Sequence, residues 1–314
     1  MLDVKRSCKI LGIKLIEGEY NTKSWLEAVR GLESEPEKGA RCAVCFDKRF
    51  EVSARKAYEL GEKSFSSTLL TSPKKSLKQL KKSGDLLGKK YGLEFIAPDY
   101  RKASGTQEQN ILAKRDKLYR QDYCGCLFGL TMQREQQQKL ADELFSPISK
   151  QVQPESIEDR VKLYKKRLEY ENKDIEYKII KQRFLNWRLE FGYLKVKKKI
   201  VSAHFLPYST LKKDYTRGRV EYYIDSIYYM NRDEVKFILL ETFNRLANLN
   251  YKSVESLIFN PPPFKKEVEI RQKIIKNNYD ISLILIVKEI PTNNIEIICK
   301  SHIYEDVKEE LLKV

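Results

Sequence analysis

The first hundred residues alternate between short apolar runs and amphipathic segments that end at a glycine. Two segments with helical periodicity are closed by Gly61 and Gly92, which suit the left-handed conformation that follows many helices. The apolar runs 64–70 and 93–96, which follow these helices, predict buried strands. Strands that alternate with helices indicate βαβ units around a parallel sheet. We therefore expect an α/β domain in the first part of the chain.

The chain is long enough for two domains, because it has 314 residues and domains commonly run to about 100 to 200 residues. The best boundary is Ser146-Pro147, since Gly becomes rare beyond it while Tyr, Ile and Lys become frequent. We expect a parallel-sheet α/β domain over 1–147 and an accessory α+β domain of unknown role over 148–314. Patterns in the second domain predict helices over 154–170, 181–191 and 231–249 and strands over 220–229 and 281–290.

The charge balance favours a polyanionic partner. The formal net charge is +16, and Lys and Arg side chains bind phosphates while releasing counterions. A lysine-rich surface that only maintains solubility explains the composition equally well. No apolar run approaches the roughly 18 residues of a membrane span, and the first residues lack a secretion-signal pattern. We therefore expect a cytoplasmic protein with no membrane association.

Aromatic and basic residues are interleaved in the second domain. Such residues can stack on single-stranded bases and bind the phosphates between them. The commoner role of tyrosines in this pattern is to lie half-buried in a strand with their hydroxyls in solvent. The residues concerned are Tyr215, Arg217, Arg219, Tyr222, Tyr223, Tyr228 and Tyr229.

Four of the six cysteines form two tight pairs. Cys42 and Cys45 make a C-x-x-C motif, and flanking basic residues favour the thiolate forms that bind metal. This motif can be half a zinc site, half an iron-sulfur site, a redox dithiol or two unrelated thiols. Cys124 and Cys126 are poorly spaced to chelate one tetrahedral metal, and a disulfide between them would be strained and easily reduced. The second pair therefore suits redox cycling, and ordinary buried thiols are the alternative for both pairs.

Residues 31–46, GLESEPEKGARCAVCF, resemble a segment of the QueH-type epoxyqueuosine reductases. The resemblance covers residues 1 to about 130, and its blocks keep their order along the chain. The further blocks are SSTLLTSP at 66–73, GKKYG at 88–92, PDYRK at 98–102 and YRQDYCGC at 119–126.

The resemblance implies a cytoplasmic tRNA-modifying oxidoreductase that reduces epoxyqueuosine to queuosine at the wobble position, with an electron donor that stays unknown. It implies a three-layer, nucleotide-hydrolase-like fold for the first domain. By position, Cys42 and Cys45 are similar to ligands of the family's 4Fe-4S cluster, and Cys124 and Cys126 are similar to its redox pair.

The sequence departs from the family at its start, because the strand and adjacent Cys-Cys motif that open the family are absent. We therefore expect a domain shortened at its N-terminus, with two of the four expected cluster ligands missing. The alternative is a cluster-free remnant that acts as an RNA-binding or zinc-binding protein without enzymatic activity.

Two further sets of residues are candidates because they lie beside these motifs. Opening the epoxide requires a proton donor for the leaving oxygen, and a basic surface near the second cysteine pair would suit tRNA phosphates. Structural roles, or a solvated helix face for the basic set, are the alternatives. The donor candidates are Asp99, Tyr100, Asp122 and Tyr123, and the phosphate-binding candidates are Lys114, Arg115, Lys117 and Arg120.

Overall fold

The computed structural model describes every residue except 103, 122, 145–148, 150, 232 and 233. It divides the chain into two units, Met1–Ala141 and Asp142–Val314. The boundary predicted at Ser146-Pro147 and the donor candidate Asp122 lie outside the described residues.

Unit 1 is mostly helical. Its helices include α1, which matches the amphipathic pattern that opens the sequence and ends at Gly12 in the left-handed conformation. Two short parallel strands, β1 and β2, pair Ser64 with Glu94 and Phe65 with Phe95. The helices are α1 (Leu2–Leu11), α2 (Thr22–Ala28), α3 (Ala40–Glu59), α4 (Leu77–Tyr91), α5 (Gly105–Arg115) and α6 (Leu127–Gln136), and the strands are β1 (Ser64–Phe65) and β2 (Glu94–Phe95).

The core of unit 1 is aromatic and depends on a close approach to a glycine. Phe50 of α3 packs against Phe65 and Phe95, with ring centroids 5.0 to 6.5 Å apart among the three rings. A Cβ at Gly84 of α4 would lie 2.1 Å from the Phe95 ring, so only glycine lets this helix reach the strand. The helix–strand–helix–strand order is therefore held by contacts of α3 and α4 with two very short strands.

The mixed α/β class is confirmed, but the first predicted strand is shorter than expected. Beyond Phe65 the chain turns into a 3₁₀ helix over Thr68–Thr71, where the Ser67 hydroxyl accepts a bond from the Leu69 N–H. The strand is thus replaced by a serine-capped turn. Helices close to the predicted positions 46–60 and 75–91 are confirmed as α3 and α4.

The described residues of unit 2 form two sheets and four α-helices. The five-stranded sheet has the order β5-β10-β9-β8-β7, and the four-stranded sheet has the order β4-β3-β11-β6. Strands β3 and β11 pair antiparallel along almost their whole length. The strands are β3 (Tyr177–Val196), β4 (Lys199–Val201), β5 (His204–Phe205), β6 (Tyr215–Gly218), β7 (Val220–Ile224), β8 (Ile227–Met230), β9 (Val235–Leu239), β10 (Leu283–Val287) and β11 (Ile295–Lys313). The helices are α7 (Ile157–Asn172), α8 (Leu240–Ala247), α9 (Val254–Phe259) and α10 (Phe264–Ile274).

The core of unit 2 lies on both faces of the five-stranded sheet. One face carries Phe237 and Leu285, which share a core cluster with Leu194 and Ile297 of the four-stranded sheet. Side chains on the other face, including Ile238 and Ile284, pack with residues of α8, α9 and α10. Unit 2 is therefore a stack of four-stranded sheet, five-stranded sheet and helices.

Two helix predictions in this unit are wrong. Residues 181–191 lie inside strand β3, where burial does not alternate, because Asn186, Trp187 and Arg188 are buried in succession. The apolar residues Phe184, Trp187 and Phe191 are spaced three and four positions apart, which is the spacing of a helix. The helix predicted over 231–249 begins only at Leu240, because 235–239 form β9 in the middle of the five-stranded sheet. A strand buried on both faces gives a continuous apolar run without a period, which cannot be told from a buried helix.

Other predictions in unit 2 agree with the structure. The helix near 154–170 is confirmed as α7, and the strand near 281–290 is confirmed as β10. The strand at 220–229 is a hairpin of β7 and β8, with Asp225 and Ser226 at positive φ in its turn. In the described part of the chain, no helix is long and apolar enough to cross a membrane.

Candidate active site

The first cysteine pair lies at the start of α3, and the preceding loop is fitted to that helix end. Glu35 caps the helix, because its carboxylate accepts a hydrogen bond of 3.0 Å from the Ala40 N–H. A Cβ at Gly39 would lie 2.5 Å from the same carboxylate and 3.0 Å from the Pro36 carbonyl oxygen, so a larger residue there would displace the Glu35 cap. The Lys38 N–H points at Cys42 Sγ at 3.3 Å. Cys42 and Cys45 are one turn apart and therefore share a face of α3.

Arg41 anchors the loop from inside the protein. Its side chain is 1% exposed, and its guanidinium donates to the carbonyls of Leu32 and Glu33. The guanidinium carbon also lies 5.7 Å from the centre of the Phe128 ring of α6. Arg41 thus connects the cysteine-bearing helix to the helix that follows the second cysteine pair.

The second cysteine pair lies at the start of α6, where Cys126 is the residue before the first helical position. The Cys124 N–H donates to the Gln133 side-chain oxygen at 2.9 Å. A Cβ at Gly129 would lie 3.2 Å from Cys124 Sγ, which is tighter than side chains normally pack. The absence of a side chain at Gly129 therefore leaves room for the Cys124 thiol against α6.

A partly buried lysine links Cys124 to a carboxylate. The Lys75 ammonium lies 3.0 Å from the Glu37 carboxylate and 3.7 Å from Cys124 Sγ, and its side chain is 14% exposed. Glu37 also accepts a bond of 3.0 Å from the Gln133 side-chain nitrogen. Because Gln133 in turn holds the Cys124 N–H, these four residues close a ring of hydrogen bonds.

The pKa values of the two thiols in the second pair are shifted in opposite directions. Hydrogen bonding from the side chain and the N–H of Cys126, together with the Lys75 charge, outweighs burial and lowers the pKa of Cys124 to about 5. The side-chain hydrogen bond and burial raise the pKa of Cys126 above its ordinary value. The pair therefore shares one proton at neutral pH, with Cys124 as the thiolate and Cys126 as the thiol.

The charges of Lys75 and Glu37 stabilise each other. Burial disfavours the charge on Lys75, but Cys124, Glu37 and Cys42 outweigh burial and raise the pKa of Lys75. Burial likewise disfavours the Glu37 charge, while bonds from Gln133 and Lys75 outweigh it and lower the pKa of Glu37. Lys75 therefore holds a proton beside a thiolate, in a position to deliver it to a nearby group.

Lys75 relates the two cysteine pairs, because it lies 3.7 Å from Cys124 Sγ and its pKa also responds to Cys42. Cys42 is close enough to Lys75 to influence its pKa, and Arg41 influences that of Cys126. Among the described residues, however, no group of three or more His, Cys, Asp or Glu side chains is placed to hold a metal ion. The assignment of Cys42 and Cys45 as cluster ligands therefore stays a prediction.

The predicted proton donors have other partners or lie at the surface. Asp99 pairs with Arg101 at 3.2 Å, and hydrogen bonds from Arg101 lower the Asp99 pKa against the opposing effect of burial. Arg101 also donates to the carbonyl of Lys75 at 2.9 Å, so this block positions the Lys75 segment. The Tyr100 side chain is 49% exposed, and the Tyr119 hydroxyl donates to that of Tyr123 at 3.3 Å.

The sequence did not single out Lys75, Glu37 or Gln133. Glu37 lies inside the 31–46 block and Lys75 two residues after the 66–73 block, but neither carries a recognisable motif by itself. The three residues come from separate segments and meet only in the folded chain. Their proximity to the blocks is the one signal that could have suggested them.

A cavity of about 300 Å³ adjoins this ring of hydrogen bonds. Glu37 and Gln133 of the ring line this cavity, together with Lys38 and Pro73. A second cavity of about 560 Å³, lined by residues of α2 and by Phe128, lies elsewhere in unit 1. Since only the smaller cavity shares residues with the Cys124 network, it is the better candidate for the reacting group of a substrate.

The basic residues near the second cysteine pair lie on and after α5. Lys114, Arg115 and Arg120 are exposed, and Arg115 pairs with Asp116 at 2.7 Å. Exposure is compatible with phosphate binding, which stays a prediction for these residues.

Comparisons with known proteins give a consistent picture. A family model described as epoxyqueuosine reductase QueH matches residues 1–132. The epoxyqueuosine reductase QueH of Helicobacter pylori is 34% identical over 300 residues, and the alignment covers 91% of this chain and 81% of that protein. The QueH of Acinetobacter baylyi is 40% identical over 119 residues, covering 38% of this chain and 55% of its own length. That of Haemophilus influenzae is 39% identical over 127 residues, covering 40% and 51%.

The alignment with the Helicobacter pylori protein is too long to be confined to unit 1, so it includes much of unit 2. The other two relatives match about two fifths of the chain, and the matched part is about half of their own length. An identity of 34% over most of the length of the Helicobacter pylori protein is sufficient to establish family membership. The chain belongs to the epoxyqueuosine reductase QueH family.

Proposed function

We propose that this protein reduces epoxyqueuosine to queuosine at the wobble position of tRNA in the cytoplasm. The observation that carries the proposal is the pair of Cys124 and Cys126, whose pKa values are shifted in opposite directions, beside a partly buried, protonated Lys75. A nucleophilic thiolate, a second thiol and a proton donor are the groups that reductive opening of an epoxide requires. For the family domain we also propose the three-layer, nucleotide-hydrolase-like architecture.

Conversion of the epoxide to an alkene consumes two electrons and two protons and releases water. In the proposed route, the Cys124 thiolate attacks an epoxide carbon, the C–O bond breaks, and Lys75 protonates the oxygen. The Cys126 sulfur then attacks Cys124 Sγ, the C–S bond breaks, and its electron pair forms the C=C bond and expels hydroxide. The proton of Cys126 converts this hydroxide to water, leaving a Cys124–Cys126 disulfide.

The disulfide must be reduced before the next turnover, and an external dithiol or an iron-sulfur electron donor would supply the two electrons. We propose Cys42 and Cys45 as this chain's ligands for a 4Fe-4S cluster, which transfers electrons one at a time. The helix N-terminus behind Cys42 favours negative charge there, in keeping with thiolate ligands. We assign the electron pair of the chemical step to the thiol pair, because two thiols that close to a disulfide supply both electrons together.

A single-turnover experiment tests the proposal. The full chain is reconstituted anaerobically with iron and sulfide, reduced, freed of reductant and mixed with tRNA that carries epoxyqueuosine. We expect up to one queuosine per protein, with loss of the Cys124 and Cys126 thiols detected by peptide mass spectrometry. Absence of queuosine despite bound iron would refute the reductase, and salt-sensitive tRNA binding alone would indicate a non-enzymatic RNA-binding protein.

Two outcomes separate the parts of the proposal. Queuosine formed while both thiols stay free would refute the thiol-pair route but not the reductase. Iron content measured on the Cys42→Ala and Cys45→Ala variants tests the ligand assignment without reference to activity. Iron retained at the wild-type level in both variants would exclude these cysteines as ligands.

A further inference from the structure

The outer face of the four-stranded sheet in unit 2 carries aromatic and basic side chains in register. Tyr215 of β6, Ile298 of β11 and Tyr193 of β3 lie side by side across three strands. The neighbouring row consists of Arg217, Glu296, Lys195 and Ile200, and a third pairs Lys300 with Phe191. We call this surface the outer sheet face.

The opposite face of the same strands is buried in the core of unit 2. Leu194, Ile295 and Ile297 are at most 1% exposed and belong to the cluster shared with the five-stranded sheet. On the outer side, by contrast, Phe191 and Tyr215 are each 50% exposed and Ile200 is 72% exposed. Helix α7 makes its bond to β11 at Glu309, far along the strand from these rows. The aromatic side chains of the outer sheet face are therefore accessible at this end of the sheet.

The charges on and around the outer sheet face are mostly positive. The Lys195 ammonium lies 4.8 Å from the centre of the Tyr193 ring, so a cation and an aromatic ring share the surface. Glu190 binds Lys300 at 2.6 Å and neutralises part of the charge. The basic residues are Lys195, Lys197, Lys198, Lys212, Lys213, Arg217, Arg219 and Lys300, and the acidic residues are Glu190, Asp214 and Glu296.

The tyrosines of the neighbouring hairpin differ from those of the outer sheet face. Tyr222 and Tyr229 stack on each other with centroids 5.0 Å apart, and Tyr223 and Tyr228 do so at 5.3 Å. These rings already use one another as stacking partners. Of the aromatic residues that the sequence suggested for base stacking, Tyr215 lies on the outer sheet face, and half of its side chain is exposed.

We propose that the outer sheet face binds unpaired bases and phosphates of the tRNA whose nucleoside is reduced, an inference that rests on the proposed function. A flat antiparallel sheet with exposed rings lets bases stack at regular spacing, while flanking Lys and Arg neutralise the backbone. An uncharged partner would not account for the excess of basic residues on this face. A single-stranded nucleic acid accounts for both features, because it is a polyanion with exposed aromatic bases.

The test compares two sets of exposed substitutions in the full chain. The face variant carries Phe191→Ser, Tyr215→Ser and Arg217→Gln, and the control carries Lys252→Gln, Lys265→Gln and Lys276→Gln elsewhere on unit 2. Affinity is measured by fluorescence anisotropy for an unmodified tRNA transcript, a poly-uridine strand and an RNA duplex of equal length. Circular dichroism melting verifies that both variants are folded.

We expect the face variant to bind the transcript and the single strand at least about tenfold more weakly, since each lost stacking ring costs this order of affinity. Duplex binding should fall less, because paired bases offer no free faces to the rings. The lone Arg217→Gln change should reduce the slope of log affinity against log salt by about 0.7 on the single strand. The control should keep single-strand binding within about twofold.

Equal losses in the face variant and the control would overturn the inference, because general charge would then explain binding. Unchanged RNA binding with an altered oligomeric state would also overturn it and identify the face as a protein interface. The outcome is independent of catalysis: if no queuosine forms but the face variant alone loses single-strand binding, the RNA surface stands while the reductase proposal falls.

Discussion

Each unit holds a cation, one buried and one partly buried, among a different kind of partner. In unit 2, Arg271 is 3% exposed and donates to the carbonyls of Pro207, Asp280 and Ser282 and to the Ser209 hydroxyl. In unit 1, Lys75 contacts the Glu37 carboxylate and the Cys124 thiol. The partners of Arg271 are neutral carbonyl and hydroxyl groups, whereas both partners of Lys75 are ionisable groups. Arg271 therefore acts as a brace between backbone segments, and Lys75 can take part in proton transfer.

The largest effect is expected when the thiol in contact with Lys75 is removed. We expect Cys124→Ala to lower the single-turnover rate by at least about a thousandfold, because the nucleophile is lost. Cys8→Ala, which changes a thiol outside both pairs, should leave the rate within about twofold. Rates are measured by chromatography of the nucleosides released from the tRNA. Similar rates in both variants would show that Cys124 is not the nucleophile.

Removal of the brace should affect stability and leave the thiol chemistry intact. Arg271→Met leaves several buried carbonyls without donors, so we expect a loss of about 3 to 5 kcal/mol in the free energy of unfolding of unit 2. The measurement is urea denaturation followed by tryptophan fluorescence, with exposed Lys276→Met as the control. A loss below about 1 kcal/mol would mean that water satisfies these carbonyls and that Arg271 is not a brace.

Substitution of Lys75, unlike that of Arg271, should lower the rate of the reaction through the thiol chemistry. Lys75→Met removes the proposed proton donor and the charge beside Cys124, and we expect a loss of about 10² to 10⁴ in rate. The pKa of Cys124 should rise at the same time, because the neighbouring positive charge is gone. Lys78→Met, on the exposed side of α4, serves as the control. A rate loss without any change in the Cys124 pKa would assign Lys75 to substrate binding instead.

The smallest effect concerns the pH dependence of thiol reactivity. A group with a depressed pKa is deprotonated above it, so alkylation of Cys124 by iodoacetamide should rise through pH 5 and be level at pH 7. Cys126→Ala removes the hydrogen bond that contributes most to this shift, and the midpoint should move upward. Peptide mass spectrometry separates Cys124 from the other cysteines. A midpoint near pH 8.5 in the wild type would contradict the shared-proton arrangement.

Local signals in the sequence were sufficient for some elements. Helices closed by Gly61 and Gly92 were predictable, because chain reversal after a helix requires a residue that tolerates positive φ. The long strand β3 was not, because its partner β11 lies far along the chain and its burial does not alternate. Local periodicity cannot identify a strand whose stability comes from a distant partner.

The same distinction applies to the candidate site. The cysteine pairs stood out because each is contiguous, and the resemblance to a family added their proposed roles. Lys75, Glu37 and Gln133 did not, because each is an ordinary surface-type residue whose significance comes from burial beside the thiols. Only the folded chain shows that the loop before α3, the segment before α4 and helix α6 converge on Cys124.

The pairing of β3 with β11 also has a consequence for how unit 2 folds. Partners in this ladder lie roughly a hundred or more residues apart in sequence, so the sheet forms through contacts of high sequence separation. During synthesis, β3 would leave the ribosome long before β11 is made, with its inward row of apolar side chains uncovered. The interval in which β3 waits for its partner is thus the stage at which unit 2 would be most exposed to aggregation, and a chaperone acting there would improve the yield of folded protein.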